Sequence, residues 1–170
     1  MNAEELKALQ GPIKQAYRNA PESARVTSRV ELWLDPERLG VRLGTDLPPI
    51  AGLHPATGGT GEMACSADLL LQSLAACAGV TLLAVATATG VPITGGRIIA
   101  EGLWDARGTL GVDKTVPVGI QNIRLSFELE GSADLAAYER LVGTAERYCV
   151  ILATLRSSVP IEIRVRLSAA

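Results

Sequence analysis

The longest apolar run in the chain predicts a central helix. Residues 69–96 are 28 consecutive positions without a charged side chain. The helix is expected to take Ser66 as its N-cap and to end at Gly90, because glycine commonly follows the last helical turn and Pro92 cannot continue it. A helix that is apolar on every side lies in a membrane or at the centre of a core. We expect a core, wide enough to suggest a dimer, because small residues are frequent in the run and no Lys or Arg cluster flanks it.

A second helix is predicted from Ser132, as N-cap, to about Leu155. Apolar residues recur along it every three or four positions, which is the spacing of one helix face. The residues of this stripe are Leu135, Tyr138, Leu141, Val142, Ala145, Cys149 and Leu152. The stripe is expected to face inward.

Five segments are predicted to form β-strands. They are residues 25–34, 39–44, 97–107, 123–130 and 161–167. Apolar and polar residues alternate most regularly in 123–130 and in 161–167, as expected of half-buried strands. Helices combined with antiparallel strands in this order indicate an α+β fold.

The remaining segments are a short helix and a long loop. Residues 2–10 are expected to form an amphipathic helix capped by Asn2 and interrupted at Gly11-Pro12, with another turn over residues 13–18. Residues 45–65 are rich in Pro and Gly and predict a loop, whose length makes it a functional candidate. We interpret residues 1–170 as one domain, in which residues 1–20 are an added N-terminal helical segment.

Composition narrows the possible functions. The chain has 170 residues, a net charge of −2 and only 4% aromatic residues, so nucleic-acid binding is disfavoured. Three widely spaced cysteines argue against a secreted disulfide framework, and the acidic N-terminus does not resemble a signal peptide. We therefore expect a cytoplasmic protein that has no membrane partner.

The chemistry-bearing residues are few. His54 is the single histidine, and the chain contains neither a Gly-x-Ser-x-Gly motif nor a phosphate-binding glycine motif. No Cys-x-x-Cys pair is present, so neither a metal site nor a cofactor is expected. If the two long helices pack by their apolar faces, Cys77 and Cys149 come within disulfide range. The alternative, favoured by spacing alone, is that both are small buried hydrophobes, and Cys65 is expected to be incidental.

The two segments that carry these cysteines contain motifs. Residues 66–77 are Ser-Ala-Asp-Leu-Leu-Leu-Gln-Ser-Leu-Ala-Ala-Cys, and residues 145–150 are Ala-Glu-Arg-Tyr-Cys-Val. The first resembles the helix of the OsmC/Ohr family, the osmotically inducible and organic hydroperoxide resistance proteins, which ends in Ala-Ala-Cys or Gly-Ser-Cys. The second resembles that family's other cysteine motif, usually Ala-Glu, two residues, then Cys-Pro. The order of elements from about residue 24 to 167 is also similar.

The resemblance implies an OsmC-like fold, with two antiparallel sheets wrapped around long central helices in an intertwined homodimer. It implies a thiol peroxidase that reduces organic hydroperoxides to alcohols at two sites on the subunit interface. By this analogy Cys77 is the peroxidatic cysteine and Cys149 the resolving cysteine. A sulfenic acid on Cys77 then condenses to a Cys77–Cys149 disulfide, which an external dithiol reduces.

The chain departs from the family pattern at two positions. Ala67 stands where the best-studied members have a Glu that pairs with an Arg to activate the first cysteine, and Val150 stands where Pro is common. Because Cys77 lies mid-helix, we expect a cation to lower its pKa. The candidate cations are Arg25, Arg29, Arg42 and His54. Two alternatives remain open: a non-catalytic module that holds an apolar ligand at the interface, and a redox sensor.

Overall fold

The computed structural model describes residues 2–25, 33–35, 40–42 and 50–167, and side chains at 22, 33–35 and 40–42 are not described. The helices are α1 Ala3–Asn19, α2 Ser66–Thr89, α3 Ala106–Thr109, α4 Leu135–Tyr148 and α5 Val150–Arg156. The strands are β1 Trp33–Asp35, β2 Gly40–Arg42, β3 Ala51–Gly52, β4 Ala64–Cys65, β5 Gly95–Leu103 and β6 Asn122–Glu130. Short 3₁₀ turns occur at Pro21–Ala24 and Pro55–Thr57. This combination of helices and sheets is the predicted α+β class.

The described strands form two sheets. The first has the order β1-β2-β3-β4, with antiparallel pairs except for the parallel pair β3–β4. The second is a long antiparallel ribbon of β5 and β6. Its register places Arg97 opposite Glu128 and Glu101 opposite Arg124, and both pairs form ion pairs across the exposed face. The opposite face of the ribbon is therefore free to pack on the helices.

The core lies between α2, the pair α4–α5 and the β5–β6 ribbon. One cluster joins two buried residues of α2 with two of α4, namely Leu82, Ala86, Leu141 and Ala145. A second cluster contains Leu74, Ala78 and Cys149. Ile98 and Phe127 of the ribbon pack against both clusters. Because many of these side chains are small, the helices and the ribbon approach closely around the middle of α2.

The ends of α2 are set by local backbone geometry. The helix ends at Gly90, whose φ of 72° is left-handed, and this confirms the predicted stop. Its N-cap is Cys65 and not Ser66, so that prediction is wrong. The reason is that β4 ends at Cys65, which keeps an extended conformation, and Ser66 is already helical. The segment predicted as a loop also contains the two short strands β3 and β4.

The N-terminal helix is longer than predicted. Asn2 caps it as expected: the Asn2 side chain accepts from the Glu5 N–H, and the Glu5 carboxylate accepts from the Asn2 N–H, both at 2.9 Å. The predicted interruption at Gly11-Pro12 is wrong, because α1 runs through it. Proline removes one N–H donor but holds φ near the helical value, so one proline does not prevent the helix from continuing.

The predicted second helix is in fact two helices. Asp134 is its N-cap in place of Ser132 and accepts a hydrogen bond of 2.7 Å from the Ala137 N–H. The chain then leaves the helical conformation at Cys149, with φ −75° and ψ 108°, and α5 starts at the next residue. Most of the predicted stripe faces inward, but Leu135 is 73% exposed. The first residue of α4 therefore lies outside the core, whereas Tyr138 packs against it.

The predicted strands differ in outcome. Strand β6 confirms the prediction for 123–130. Strand β5 begins two residues before 97 and ends at Leu103, because Asp105 accepts from the Arg107 N–H and caps the short helix α3. The segments predicted at 25–34 and 39–44 are described only in part, as β1 and β2, and residues 26–32 lie outside the described chain.

Two apolar surfaces remain uncovered in the single chain. Residues 161–167 were predicted to be a strand but pair with no strand of the described chain. Their apolar side chains are almost fully accessible, with Val165 92% and Leu167 97% exposed. Along α2, Val80 and Leu83 are also exposed. Only 22% of an apolar 18-residue stretch of this helix is buried. By length and composition α2 could also span a bilayer, which is weak evidence for a membrane protein.

Candidate active site

The two cysteines of the motifs lie in contact in the folded chain. Cys77 is half-buried at the middle of α2, and Cys149 is 1% exposed at the junction of α4 and α5. Each thiol shifts the pKa of the other, and both are free thiols. Cys77 packs against the buried cluster that contains Leu74, Ala78 and Cys149. The fold thus brings together two thiols that are 72 positions apart in the sequence.

The break between α4 and α5 decides what surrounds Cys77. Because Cys149 is extended, the first backbone N–H groups of α5 have no partner within that helix. Two of these groups, the N–H groups of Val150 and Ile151, act as donors that lower the pKa of Cys77. The hydroxyl of Thr81, one helical turn after Cys77, also lowers this pKa. Cys77 is therefore surrounded by donors although its own helix supplies no N-terminus.

These donors lower the pKa of Cys77. Burial acts in the opposite direction and raises the pKa, because it disfavours the charged form. Hydrogen bonds from the Ile151 N–H, the Cys149 thiol, the Val150 N–H and the Thr81 hydroxyl together outweigh burial. Since a thiolate and not a thiol is the nucleophile, the arrangement favours reactivity at Cys77.

The pKa of Cys149 is shifted in the other direction. Burial raises it most, and the contact with Cys77 raises it further, against a smaller lowering by the backbone N–H groups of Leu152 and Ile151. The two shifts therefore make Cys77 the easier of the two thiols to ionise and Cys149 the harder. A thiolate beside a protonated, buried thiol can attack an electrophile and then be captured in a disulfide.

Of the cations considered from the sequence, Arg25 and His54 are not among the causes of this shift. The largest influences on the Cys77 pKa all come from neutral groups: burial, backbone N–H groups, a hydroxyl and a thiol. Arg25 is exposed, and His54 contacts Trp104 instead. Residue Arg29 and the side chain of Arg42 lie outside the described part. Within the described residues the groups that lower the pKa of Cys77 are neutral donors, and the expectation of an activating cation stays a prediction.

Cys65 lines a cavity that does not include Cys77 or Cys149. It lines a space of about 440 Å³ together with His54, Ala67 and Trp104. The imidazole and indole rings meet edge to face at 5.0 Å, and His54 Nδ1 accepts from the Ala56 N–H at 3.0 Å. Ala67 precedes Cys77 by ten helical positions, which correspond to about 15 Å along α2. A side chain at position 67 therefore cannot touch Cys77 of its own chain.

The described side chains provide no evidence for a metal centre. Among them, no group of three or more His, Cys, Asp or Glu residues is arranged to hold an ion. The two thiols lie in an apolar cluster of the described residues.

The donors to Cys77 were not identified from the sequence. Every residue except proline carries a backbone N–H, so a sequence does not reveal which N–H is free. One signal was present: Val150 replaces the proline common in the second family motif, and a valine retains the N–H that proline lacks. Thr81 could have been found from its position one turn after Cys77 on the predicted helix.

Comparison with known proteins places this site in a family. The profile of the OsmC-like protein family matches residues 59–164, which include both cysteines. No curated protein matches the sequence. Similar solved structures include an OsmC-like protein from Mycoplasma pneumoniae, with 19% identity over 77% of this chain and 89% of the other at a TM-score of 0.61.

Two further solved structures are similar. An organic hydroperoxide resistance protein OsmC from Legionella pneumophila has 18% identity over 78% of this chain and 92% of the other, at a TM-score of 0.61. A hypothetical protein from Aquifex aeolicus VF5 has 22% identity over 78% of this chain and 89% of the other, at a TM-score of 0.55. At these identities the structures establish the fold alone. With the profile match covering more than half of its length, the chain belongs to the family of OsmC-like proteins.

Proposed function

We propose that this protein is a thiol-dependent peroxidase that reduces organic hydroperoxides to alcohols. The observation that carries the proposal is the contact between Cys77 and Cys149, in which one thiol has a lowered pKa and the other a raised pKa. Family membership supports a redox role, and the similar Legionella pneumophila protein is an organic hydroperoxide resistance protein. Cys77 is the peroxidatic residue and Cys149 the resolving residue.

The reaction proceeds in three balanced steps. The Cys77 thiolate attacks the terminal peroxide oxygen, the O–O bond breaks, and the alkoxide takes a proton from solvent to leave as an alcohol, so that Cys77 becomes a sulfenic acid. The thiol of Cys149 then attacks this sulfur, an S–S bond forms, and water leaves. An external dithiol reduces the disulfide and is itself oxidised, which restores both thiols.

The surroundings of the pair favour an organic substrate. Leu74, Ala78, Ile151 and Leu152 form its apolar neighbourhood. Ile98, which packs against this cluster, also lines an apolar cleft of about 300 Å³ between α2 and β5. An alkyl or aryl group gains free energy by leaving water for such surfaces, at roughly 25 cal/mol per Å² of apolar area. Hydrogen peroxide has no apolar group and gains nothing of this kind.

The active unit is a cytoplasmic homodimer. In the single chain the outer face of α2 and the apolar residues of 161–167 are exposed, and such surfaces usually indicate an interface. A second copy supplies both a strand edge for residues 161–167 and a cover for α2. Residue 67 lies too far from Cys77 of its own chain, so the family's glutamate at this position acts across an interface. Ala67 removes that group, and hydrogen-bond donors activate Cys77 in its place.

Peroxide consumption tests the proposal. Reduced protein mixed with cumene hydroperoxide should consume it in the presence of a dithiol, and Cys77→Ser should abolish consumption. Cys65→Ser is the matched control and should retain full activity, because Cys65 lines a separate cavity. Without a dithiol, mass spectrometry should show a Cys77–Cys149 disulfide after one turnover.

Two results would contradict the peroxidase assignment. If reactivity is no greater than that of free cysteine and native mass spectrometry shows a retained apolar ligand, the protein is a binding module. If oxidation is slow, is not recycled by dithiols and changes the shape of the protein, it is a redox sensor. The replacement of the family's glutamate by Ala67 is the feature that keeps the binding module as the second candidate.

A further inference from the structure

A cavity between α1 and α2 collects three positive charges. It has a volume of about 410 Å³, and its lining includes Lys7, Lys14 and Arg18 from α1 and Ala88 from α2. None of its described lining residues carries a carboxylate, although the chain as a whole has a net charge of −2. Neither cysteine of the candidate active site lines it, and α1 lies outside residues 59–164, which match the family profile. The proposed peroxidase reaction does not use this cavity.

The three cations share one face of α1 because of their spacing. Lys7 and Lys14 are seven positions apart and Lys14 and Arg18 are four apart, which corresponds to two turns and one turn of the helix. Like charges at such spacings repel each other. Among the described residues none forms an ion pair with these side chains, and Arg18 donates to the neutral Gln15 side chain at 3.4 Å. An anion in the cavity would therefore relieve a repulsion that the described residues leave uncompensated.

The two glutamates of α1 lie elsewhere on the helix. Glu4 and Glu5 are in its first turn, where negative charge stabilises a helix N-terminus. The Glu5 carboxylate accepts a hydrogen bond of 2.9 Å from the Asn2 N–H, and neither glutamate lines the cavity. Their charges therefore stabilise the end of the helix and leave the cavity positive.

The inner part of the cavity is largely apolar. Leu6, which also lines it, is 9% exposed, whereas the three cationic side chains are exposed. Ala3, Gly11 and Ala88 contribute short side chains or none, so space is left beside Leu6. The alkyl stems of lysine and arginine add apolar surface while their charged ends stay in water. A ligand that fits has a negative head group for the cations and an apolar chain for Leu6.

We propose that this cavity binds a fatty acid in its carboxylate form. Lysine and arginine attract a carboxylate, and arginine can donate two parallel N–H bonds to it. The apolar chain leaves water for Leu6 and Ala88. The volume lies within the range of about 300–1,000 Å³ that is usual for small-molecule sites. Inorganic phosphate has no apolar chain, and a bilayer surface cannot enter a cavity of this size, so the same cations select the fatty acid.

Isothermal titration calorimetry of the full-length protein with octanoate tests the proposal. We expect octanoate to bind, because it carries both the charge and the chain. Octanamide has the same chain without the charge, and acetate has the charge without the chain, so each should bind more weakly by about tenfold or more. Binding of octanoate should also weaken as the salt concentration rises, since salt screens exposed charges.

Substitutions locate the bound octanoate. Lys14→Gln combined with Arg18→Gln removes two charges and keeps good helix formers, so α1 should persist while binding weakens about five- to tenfold. Ala88→Leu fills the cavity and should weaken binding without a change of charge. Lys114→Gln is the matched control, because Lys114 is an exposed lysine outside the cavity. Equal melting temperatures of the variants without ligand would show that they fold alike.

Other outcomes would overturn the proposal. If octanoate does not bind, or octanamide binds as tightly, the cations do not hold a carboxylate. If acetate or inorganic phosphate binds as tightly as octanoate, the cavity takes a bare anion. Unchanged binding in the double glutamine variant places octanoate elsewhere, and binding to phosphatidylglycerol vesicles without binding to octanoate assigns α1 to a membrane surface. None of these measurements uses peroxide, so their failure leaves the proposed function intact, and a protein without peroxidase activity leaves this site intact.

Discussion

Cys77 packs against the buried cluster that contains Cys149, and the two thiols shift each other's pKa values in opposite directions. Together with the backbone donors, this contact lowers the pKa of Cys77 against the effect of burial. Together with burial, it raises the pKa of Cys149. The first proton leaves the pair easily and the second with difficulty, as expected for two coupled acids. The same contact therefore favours ionisation of Cys77 and opposes ionisation of Cys149.

Substitution of Cys149 separates its proposed role as a hydrogen-bond donor to Cys77 from its proposed role in forming the disulfide. Cys149→Ala removes a hydrogen-bond donor to Cys77, so we expect the pKa of Cys77 to rise and its alkylation near neutral pH to slow about fivefold, as for one ordinary hydrogen bond. Cys149→Ser keeps an O–H donor and should retain most of the reactivity, although no disulfide can form. The alkylation rate of Cys77 against pH checks this. Equal rates in both variants would show that Cys149 does not activate Cys77.

The pKa shifts also predict how stability depends on pH. The lowered pKa of Cys77 adds stability that is fully present above the unfolded-state pKa and is lost as pH falls through the folded-state pKa. The raised pKa of Cys149 has the opposite sign and reduces stability once pH exceeds the unfolded-state pKa. Urea unfolding of reduced protein should therefore show a smaller rise of stability with pH in Cys77→Ala than in the parent, between the two Cys77 pKa values. Parallel curves would contradict the shift.

Replacement of Val150 by proline tests the backbone donors. Val150 is the first residue of α5, a position that proline tolerates well, and its side chain is exposed. Val150→Pro removes one N–H that acts on Cys77 without removing a buried side chain, so the fold should persist and the pKa of Cys77 should rise. We expect severalfold slower alkylation at neutral pH. Val150→Ala, which keeps the N–H, is the control and should behave as the parent.

The sequence identified those parts of the fold that depend on local signals. The uncharged run and Gly90 located α2, and regular alternation located β6. The break at Cys149 was not predicted because the apolar spacing continues through it from Ala145 to Leu152. A periodic pattern indicates which side chains are buried. A break in the helix that keeps the same side chains buried does not change the pattern, so the pattern cannot predict it.

Only part of the candidate site could be predicted from the sequence. The motifs pointed to Cys77 and Cys149, because their side chains are chemically distinctive. The donors could not be predicted, because nearly every residue carries a backbone N–H and the sequence does not show which of these groups is free. The donors that lie near Cys77 are determined by the tertiary structure.

The C-terminal segment supports a prediction about assembly. Residues 161–167 alternate as a strand does, yet Ile163 and Val165 are almost fully exposed in the single chain, so a second copy is expected to cover them. Ile163→Glu combined with Val165→Glu places two charges in that interface, and sedimentation should then show a monomer with a lower melting temperature. Arg166→Gln alters the opposite face of the segment and should leave the dimer intact. A double variant that remains a dimer as stable as the parent would exclude this segment from the interface.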